Sequence, residues 1–253
     1  MGTIRRRTAL LVTACLTAVL VACGGGPQYV PVDIRDTSAT VVSVRAEWHL
    51  RTQTTGTFGE IKDGVEVQYL QMSGKDDQTL AAGQNLSIGG QSVVGPQQVS
   101  HSADISYAHL AYGGTARLPD YPLEMDVFMG AGRVEYTLRS SATASAPLTL
   151  RTEEVDYALT MGLGLRWRFI EKAAIEGRII ILTQNPFSFF AGTFGDGDQT
   201  DMIESELALV FRPIKQVAVR GGYAWMSLTP EKSSGSPLDF SLGGPFLGIG
   251  ISF

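Results

Sequence analysis

Cysteine, positive charge and long apolar segments are all scarce in this sequence, and each scarcity excludes a class of protein. Only two cysteines occur among 253 residues, which excludes a disulfide-rich scaffold. Acidic residues outnumber basic ones by 25 to 20, a balance that argues against nucleic acid or anionic lipid headgroups as partners. No apolar run after residue 22 is long enough for a transmembrane helix. If the remaining chain crosses a membrane, it must therefore do so as a closed β-barrel, in which every backbone polar group is paired.

The first 22 residues are typical of a secretory signal peptide. A basic stretch, Arg5-Arg6-Arg7, precedes an uncharged run from Thr8 to Ala22. This run has the length of the apolar region of a signal peptide and is too short for a transmembrane helix. It ends in Leu20-Val21-Ala22-Cys23, which resembles the lipobox of bacterial lipoproteins. An ordinary signal peptide, in which Cys23 has no special role, is the alternative.

The lipobox resemblance implies that Cys23 becomes the first residue of the mature protein, with a diacylglyceryl group on its sulfur and an acyl chain on its amino group. Residues 1–22 would be removed, and residues 23–38 would form a lipidated tether that starts with a glycine-rich segment. Cys15 would be lost with the signal peptide. The mature protein would then contain no disulfide, no cysteine-based metal site and no thiol nucleophile.

From Val41 onward, apolar and polar residues alternate with the period of a β-strand. In the clearest segment, residues 155–169, the apolar residues occupy the odd positions. Such a segment is long for a strand of a soluble protein, in which about five or six residues are typical. A tilted membrane strand that continues past the bilayer has this length. We therefore expect Leu163 to face lipid near the bilayer midplane and Gly164 to face the interior.

The alternation predicts an all-β fold, namely an antiparallel up-and-down transmembrane β-barrel over residues 39–253. Eight strands are expected, at residues 42–51, 105–117, 123–139, 155–169, 174–181, 203–211, 217–225 and 247–253. In the strand at 123–139 the alternation changes phase around Gly130-Ala131-Gly132, which predicts a β-bulge. Residues 52–104 are expected to form a long first loop. Short apolar patterns inside this loop leave ten strands as an alternative.

The connections between these strands alternate in length, which predicts the orientation of the barrel. Outer-membrane barrels have short turns on the periplasmic side and longer loops outside. An even strand number also leaves both termini in the periplasm. A lipid on Cys23 in the inner leaflet would require the chain to begin there, so the lipobox and the strand number predict the same orientation.

The last residues, Gly248-Ile249-Gly250-Ile251-Ser252-Phe253, resemble the terminal strand of bacterial outer-membrane barrels. In that family the strand ends in phenylalanine and is recognised by the barrel assembly machinery, which implies that Phe253 is an assembly signal. The overall pattern of residues 39–253 is similar to that of the eight-stranded OmpA-type barrels. The long segment 52–104 departs from that pattern.

Charged residues are predicted to fill the barrel interior as ion pairs. The expected inward set is balanced between basic and acidic residues, namely Arg45, Arg51, Arg133, Arg139, Arg166, Arg168, Arg178 and Arg220 against Glu47, Glu124, Asp126, Glu135, Asp156, Glu176, Glu204 and Glu206. Charges withdrawn from water are costly unless they are paired. Since an eight-stranded barrel leaves room only for side chains, a wide pore is not expected.

Two histidines raise the possibility of catalysis. His49 could act as a general base at the barrel rim, although a structural histidine in the polar interior is the simpler interpretation. His101-Ser102 invites comparison with outer-membrane lipid A deacylases, but those enzymes have a His-x-Ser spacing that this sequence lacks. We therefore expect no catalytic residues, no metal and no cofactor.

The sequence thus favours a lipid-anchored outer-membrane barrel with a structural or interaction role and no enzymatic activity. Its expected partners are outer-membrane lipid, the barrel assembly machinery and other envelope proteins bound through extracellular loops. The main alternative is an outer-membrane enzyme or small-solute carrier with a site in the lumen. A third interpretation, a periplasmic lipocalin-like barrel with an apolar interior, is disfavoured by the inward charges.

Overall fold

The fold is built almost entirely of β-strands. The computed structural model describes residues 28–29, 32–55, 59–88, 91–118, 120–142, 148–184, 201–229 and 238–253. Within these ranges most strand pairs are antiparallel, and no helix is long and apolar enough to cross a membrane. The predicted all-β, mainly antiparallel fold is confirmed. The signal peptide and Cys23 lie outside the described residues.

The strands are numbered in chain order. They are β1 (Gln28–Tyr29), β2 (Val32–Asp36), β3 (Thr40–Thr55), β4 (Gly59–Leu80), β5 (Gln84–Ile88), β6 (Gln91–Val94), β7 (Gln97–Arg117), β8 (Leu123–Ala142), β9 (Leu148–Ile170), β10 (Ala173–Thr183), β11 (Asp201–Ile214), β12 (Val217–Thr229) and β13 (Leu238–Ser252). Nine of them form a closed ring in the order β3-β4-β7-β8-β9-β10-β11-β12-β13. The short strands β1, β5 and β6 form a separate sheet.

The ring closes through the last strand, which pairs with the first. Strand β13 is antiparallel to β12 and parallel to β3, with Phe246 opposite Val41 and Ser252 opposite Glu47. Strand β2 continues the line of β3 and pairs in parallel with the start of β13. Each ring strand therefore has a hydrogen-bonded neighbour on both sides, and the sheet has no open edge at β3 or β13.

The ring contains nine strands, so the prediction of eight strands is wrong, as is the alternative of ten. The extra strand is β4, which lies inside the segment predicted to be a long first loop. Strands β5 and β6 from the same segment pair with each other and with β1 but do not enter the ring. Between residues 71 and 79 the outward side chains of β4 are polar. This polarity made the second half of the strand resemble a loop in the sequence.

An odd number of strands places the two ends of the described chain at opposite ends of the ring. Residues 56–58, 118–122, 171–172 and 215–216 connect strands at one end, here called the short-turn end. Residues 81–96, 143–147, 184–200 and 230–237 connect them at the other, here called the long-connection end. Because β13 runs parallel to β3, Phe253 lies at the short-turn end and β2 at the long-connection end. The argument from an even strand number is therefore wrong.

The chemical character of the two faces of the sheet reverses between the two ends. In the half nearer the short-turn end, apolar side chains are exposed on the outside and charged side chains are buried inside. In the other half the outside is polar and the inside is apolar. Strand β8 shows both halves: Val127 is exposed beside inward Asp126, whereas Arg139 is exposed beside buried Leu138. The alternation of β8 continues throughout, and only the kind of residue on each face changes.

This reversal explains why the predicted β-bulge near Gly130 is absent. Strand β8 pairs with β7 and β9 through this region without a register shift, and the exposed and buried positions alternate without interruption. The outward side chain is apolar at Met129 and charged at Arg133. The polarity changes because the strand passes from the half of the ring with an apolar outer surface to the half with a polar one. In the sequence, this change of polarity looked like a change of phase.

In the half of the ring nearer the long-connection end, the interior is a packed apolar core. Buried side chains from the ring meet Val32 and Ile34 of β2, Leu86 of β5 and Val93 of β6. The ring side chains include Leu70, Met72, Ile105, Tyr136, Leu138, Leu182, Met202, Met226, Leu228, Phe240 and Leu242. The small sheet thus contributes Leu86 and Val93 to a core that is formed mainly by ring side chains.

The terminal residue completes the seam between β3 and β13. The Phe253 amide donates to the Glu47 carbonyl at 2.9 Å, and the His49 amide donates to the Phe253 carbonyl at 3.1 Å. The Phe253 ring stacks on Trp48, with 5.5 Å between ring centres and 10° between planes. The predicted assembly signal is therefore also a structural element of the ring closure.

Close approach of β7 and β8 predicts that glycine is required at position 130. A Cβ atom on Gly130 would overlap the backbone carbonyl oxygen of Leu110, whereas a Cβ atom on Gly177 in β10 has no heavy atom within 4 Å. Gly130→Ala should lower the free energy of unfolding by about 1–3 kcal/mol, as overpacking does. The control Gly177→Ala should be neutral or raise it by up to about 1 kcal/mol, because alanine restricts the unfolded chain. Urea unfolding compares the two, and equal stabilities would contradict the close approach.

Candidate functional site

Charged side chains on the inner face of several ring strands form a buried layer, here called the charged layer. Glu176, on β10, is its centre. Its Oε1 accepts hydrogen bonds from Nη2 of Arg45 and Nη2 of Arg220, each at 2.8 Å. Its Oε2 accepts from Nε of Arg166 at 2.8 Å and from Nη2 at 2.7 Å. All four side chains are buried. Since the arginines belong to β3, β9 and β12, one carboxylate connects strands from different sides of the ring.

Glu66, on β4, forms a second centre in the same layer. Its Oε1 accepts from Arg178 and lies 2.8 Å from Nε2 of His109. Nδ1 of His109 lies 2.7 Å from the Tyr107 hydroxyl. The guanidinium carbon of Arg178 is 4.3 Å from the centre of the Phe128 ring, which is a cation–π contact. The polar groups of β4, β7 and β10 are therefore joined in one continuous chain of contacts.

Two further carboxylates lie on the inner face of β11. Glu206 accepts from Nη2 of Arg220 at 2.8 Å, and Glu204 accepts from Nε2 of Gln68 at 2.9 Å. The described charged layer then contains more acids than arginines, namely Glu47, Glu66, Glu124, Asp126, Glu176, Glu204 and Glu206 against Arg45, Arg166, Arg168, Arg178 and Arg220. These acids and arginines, with Arg212 at the edge of the layer, make the interior densely paired.

The charged layer opens toward the short-turn end through a few small cavities. Arg168 closes part of this mouth by pairing with Glu124, with Nη2 at 2.8 Å from Oε1. Arg212 lines three of the cavities and forms no ion pair with a described acidic residue. The largest of these three has a volume of about 30 Å³, and a neighbouring cavity lined by Glu47, Glu66 and Asp126 has about 50 Å³. Since one water molecule needs roughly 10–15 Å³ by this measure, the mouth can hold a few waters but no organic substrate.

Most of the residues predicted to face the interior do so. The structure places Arg45, Glu47, Glu124, Asp126, Asp156, Arg166, Arg168, Glu176, Arg178, Glu204, Glu206 and Arg220 on the inner face. Asp156 lies apart from the charged layer, on the stretch of β9 where the inner face is apolar. There the hydroxyl of Tyr136 donates to the neighbouring Glu154 at 2.5 Å.

Four predicted inward residues face solvent or the outside instead. Arg133 and Glu135 lie on the outer face of β8 and pair with each other at 2.7 Å, and Arg139 is exposed on the same face. They were assigned inward because the polarity reversal in β8 was interpreted as a phase change. Arg51 is exposed after a register shift between β3 and β4, and it pairs with Asp63 at 3.2 Å.

Glu66, Gln68 and His109 face the interior but were not among the residues predicted to do so. The first two lie in β4, which was predicted to be a loop, and His109 lies in the weakest predicted strand. A usable signal was present, because Glu66 and Gln68 alternate with Val65, Val67 and Tyr69. The same alternation was used to assign every other ring strand.

The two candidate catalytic histidines lie toward opposite ends of the ring, His101 in β7 and His49 in β3. The alternation of β7 places His101 inside the ring and Ser102 outside, so the two side chains do not meet. His101 lies in the half of the ring nearer the long-connection end. Its Nδ1 is 2.7 Å from Ser140 Oγ, and its Nε2 is 3.1 Å from Gln78 Oε1. Burial lowers the pKa of His101 below its ordinary value and favours the neutral ring. His49 is exposed beside the short-turn mouth.

The described residues offer little that would hold a reactant. They contain no group of three or more His, Cys, Asp or Glu side chains arranged to bind a metal ion. The largest cavity among them is not in the lumen but is an open groove of about 480 Å³ on the outer face of β9 to β12. Its floor is formed by Gly177 and Ser205, and its walls are apolar.

Comparisons with known proteins add no assignment: no family model, no curated protein and no solved structure matches this chain significantly.

The charged layer predicts a large difference between two glutamate substitutions. Glu176→Ala would leave Arg45, Arg166 and Arg220 buried without their common partner, and should lower the free energy of unfolding by about 3–5 kcal/mol. Glu135→Ala removes an exposed ion pair and should cost at most about 1 kcal/mol. Urea unfolding followed by tryptophan fluorescence measures both. A loss below 1 kcal/mol in Glu176→Ala would show that the layer does not depend on this carboxylate.

Proposed function

We propose that this protein is a bacterial outer-membrane β-barrel with a structural or interaction role, anchored additionally by a lipid on Cys23. Its closed nine-stranded sheet crosses the membrane through the half nearer the short-turn end. The other half projects into water. We further propose that it has no catalytic activity and forms no open pore.

The observation that carries this proposal is a belt of exposed apolar side chains around the ring. All nine ring strands contribute to this outer apolar belt, which consists of Val42, Val44, Trp48, Val67, Tyr69, Leu110, Tyr112, Met125, Val127, Met129, Val155, Tyr157, Leu159, Leu163, Leu165, Trp167, Phe169, Ile175, Ile179, Leu207, Leu209, Phe211, Val219, Tyr223, Trp225, Leu247, Ile249, Ile251 and Phe253. Exposed apolar patches of this extent are rare on soluble monomers. An apolar band flanked by aromatic residues is the lipid-facing surface of a membrane barrel.

The interior at the height of the belt supports the same interpretation. Arg166 faces inward between Leu165 and Trp167, and Glu176 faces inward beside Ile175. Charges inside and apolar groups outside reverse the arrangement of a soluble protein and match that of a barrel in lipid. The open groove over Gly177 lies within the belt, where lipid chains would fill it.

Two successive obstructions support the proposed absence of a pore. The charged layer fills the ring at the height of the belt, and the apolar core fills it toward the long-connection end. Leu86 and Val93 of the small sheet are buried in that core. These obstructions favour a structural or interaction role over a small-solute carrier, which needs a continuous polar path. They equally disfavour a lipocalin-like site, because the apolar interior is packed with side chains.

The outer apolar belt predicts that arginine substitutions in β9 depend on depth. Leu163 is exposed near the middle of the belt, and Leu163→Arg should cost about 2–4 kcal/mol in lipid because it places a charge in hydrocarbon. Tyr157→Arg and Phe169→Arg lie nearer the interfaces and should cost roughly 0–1 kcal/mol. The measurement is urea unfolding in lipid vesicles, with heat-modifiable gel migration as the readout of the folded fraction. A flat profile along β9 would mean that this strand does not cross the membrane.

The lipid anchor makes a separate prediction. If Cys23 is lipidated, Cys23→Ala should abolish incorporation of labelled fatty acid and leave an uncleaved or mislocalised precursor. Cys15→Ala is the matched control and should mature normally, since this residue lies within the proposed signal peptide. Mass spectrometry of the N-terminus identifies the products. Normal maturation of Cys23→Ala would disprove the anchor and leave the membrane barrel untouched.

A further inference from the structure

We propose that the N-terminal segment, together with the lipid on Cys23, lies on the cell-surface side of the outer membrane, opposite the C-terminus. This inference rests on the proposed membrane barrel. It replaces the expectation that both termini are periplasmic, and it implies that the protein is a surface-exposed lipoprotein.

The position of the N-terminal segment is fixed by its strand pairings. Strand β2 pairs in parallel with the first residues of β13, from Val32 opposite Leu238 to Asp36 opposite Leu242. The Ala39 amide then donates to the Gly243 carbonyl at 2.9 Å. Further toward the N-terminus, β1 pairs with β5, which lies within the connection between β4 and β7. The first described residues therefore belong to the long-connection end.

Side-chain contacts hold β2 and the residues after it in this position. Val32 and Ile34 are completely buried in the apolar core. The Asp36 carboxylate accepts a hydrogen bond from the Lys75 amide at 2.9 Å, and the Tyr223 hydroxyl donates to the Thr37 carbonyl at 2.9 Å. Release of β2 would expose buried apolar surface and open these contacts.

Chain length then limits where Cys23 can lie. Cys23 lies five positions before Gln28, and a fully extended chain covers at most about 3.3–3.6 Å per residue, or roughly 17 Å in all. The apolar band of a membrane barrel is about 25 Å tall. The tether is therefore too short to carry the lipid from the long-connection end through the barrel wall to the opposite leaflet.

The position of the belt indicates which end faces the cell exterior. At the short-turn end the belt reaches the ends of β9 and β13 at Phe169 and Phe253, while β3, β4 and β7 continue beyond it, and the connections there are two to five residues long. At the long-connection end β4, β7, β8 and β9 continue beyond it with exposed polar residues, including Lys75, Asp77, Gln98, Ser100, Arg133, Arg139, Arg151 and Glu153. Outer-membrane barrels place short turns in the periplasm and their larger projections outside. The N-terminal segment shares the projecting end.

Labelling of single cysteines with a membrane-impermeant maleimide tests this orientation in intact cells. Ser38→Cys reports the N-terminal segment, Ala82→Cys the connection after β4, and Lys172→Cys the turn between β9 and β10. All three positions are exposed, and the parent protein sets the background. We expect Ser38→Cys and Ala82→Cys to react in intact cells, whereas Lys172→Cys should react only after lysis. Heat-modifiable migration of each variant verifies that it is folded.

The other outcomes separate failure of this inference from failure of the proposed function. Reaction of Lys172→Cys alone in intact cells would place the N-terminal segment in the periplasm and overturn the inference while retaining the barrel. Reaction of Ala82→Cys without Ser38→Cys would also overturn it, because the two sites would then lie on different sides. Identical behaviour of all three variants would mean that the chain does not span the membrane, which contradicts the proposed function itself.

Discussion

Strict alternation of side chains in a closed sheet is the constraint on which the rest of this structure depends. Closure pairs the backbone of every ring strand on both sides. The side chains then only have to suit the surroundings of each face, whether water, an apolar medium or the packed interior. Strand β8 keeps one phase along its length, yet the residues on its two faces exchange character midway. Leu165 and Arg166 represent one half of the molecule, and Arg139 and Leu138 represent the other. A single ring can therefore be suited to lipid at one height and to water at another.

The charged layer depends on the same closure. Glu176 is stabilised only because β3, β9 and β12 bring three arginines to one point, and that convergence requires the seam between β3 and β13. Burying charges is costly unless each is paired, so the layer and the ring stabilise each other. The apolar core has no such requirement, because its contacts are less directional. This difference suggests that the charged layer specifies the register of the ring, while the apolar core contributes more of its stability.

The sequence predicted the strand class and most inward residues because alternation is a local property. Residues 155–169 lie within one strand, and Leu163 and Gly164 take the expected faces. The strand number was not predictable in the same way, since it depends on long-range pairing. Strand β4 was missed because its polar outer residues face water and resemble a loop. Arg133 and Glu135 were misassigned because alternation reveals which residues share a face but not which solvent that face meets.

The strand number decides more than the size of the ring. With an even count, a lipid anchor at the N-terminus and an assembly signal at the C-terminus lie on one side of the membrane and need no further explanation. With nine strands the two ends of the chain lie at opposite ends of the ring, because β13 is parallel to β3 and Phe253 ends at the short-turn end. If Phe253 is recognised in the periplasm, β2 must lie outside, and its burial against β13 then requires the N-terminal segment to cross the membrane before the ring closes. Closure of the seam would therefore be the step that fixes the anchor at the surface.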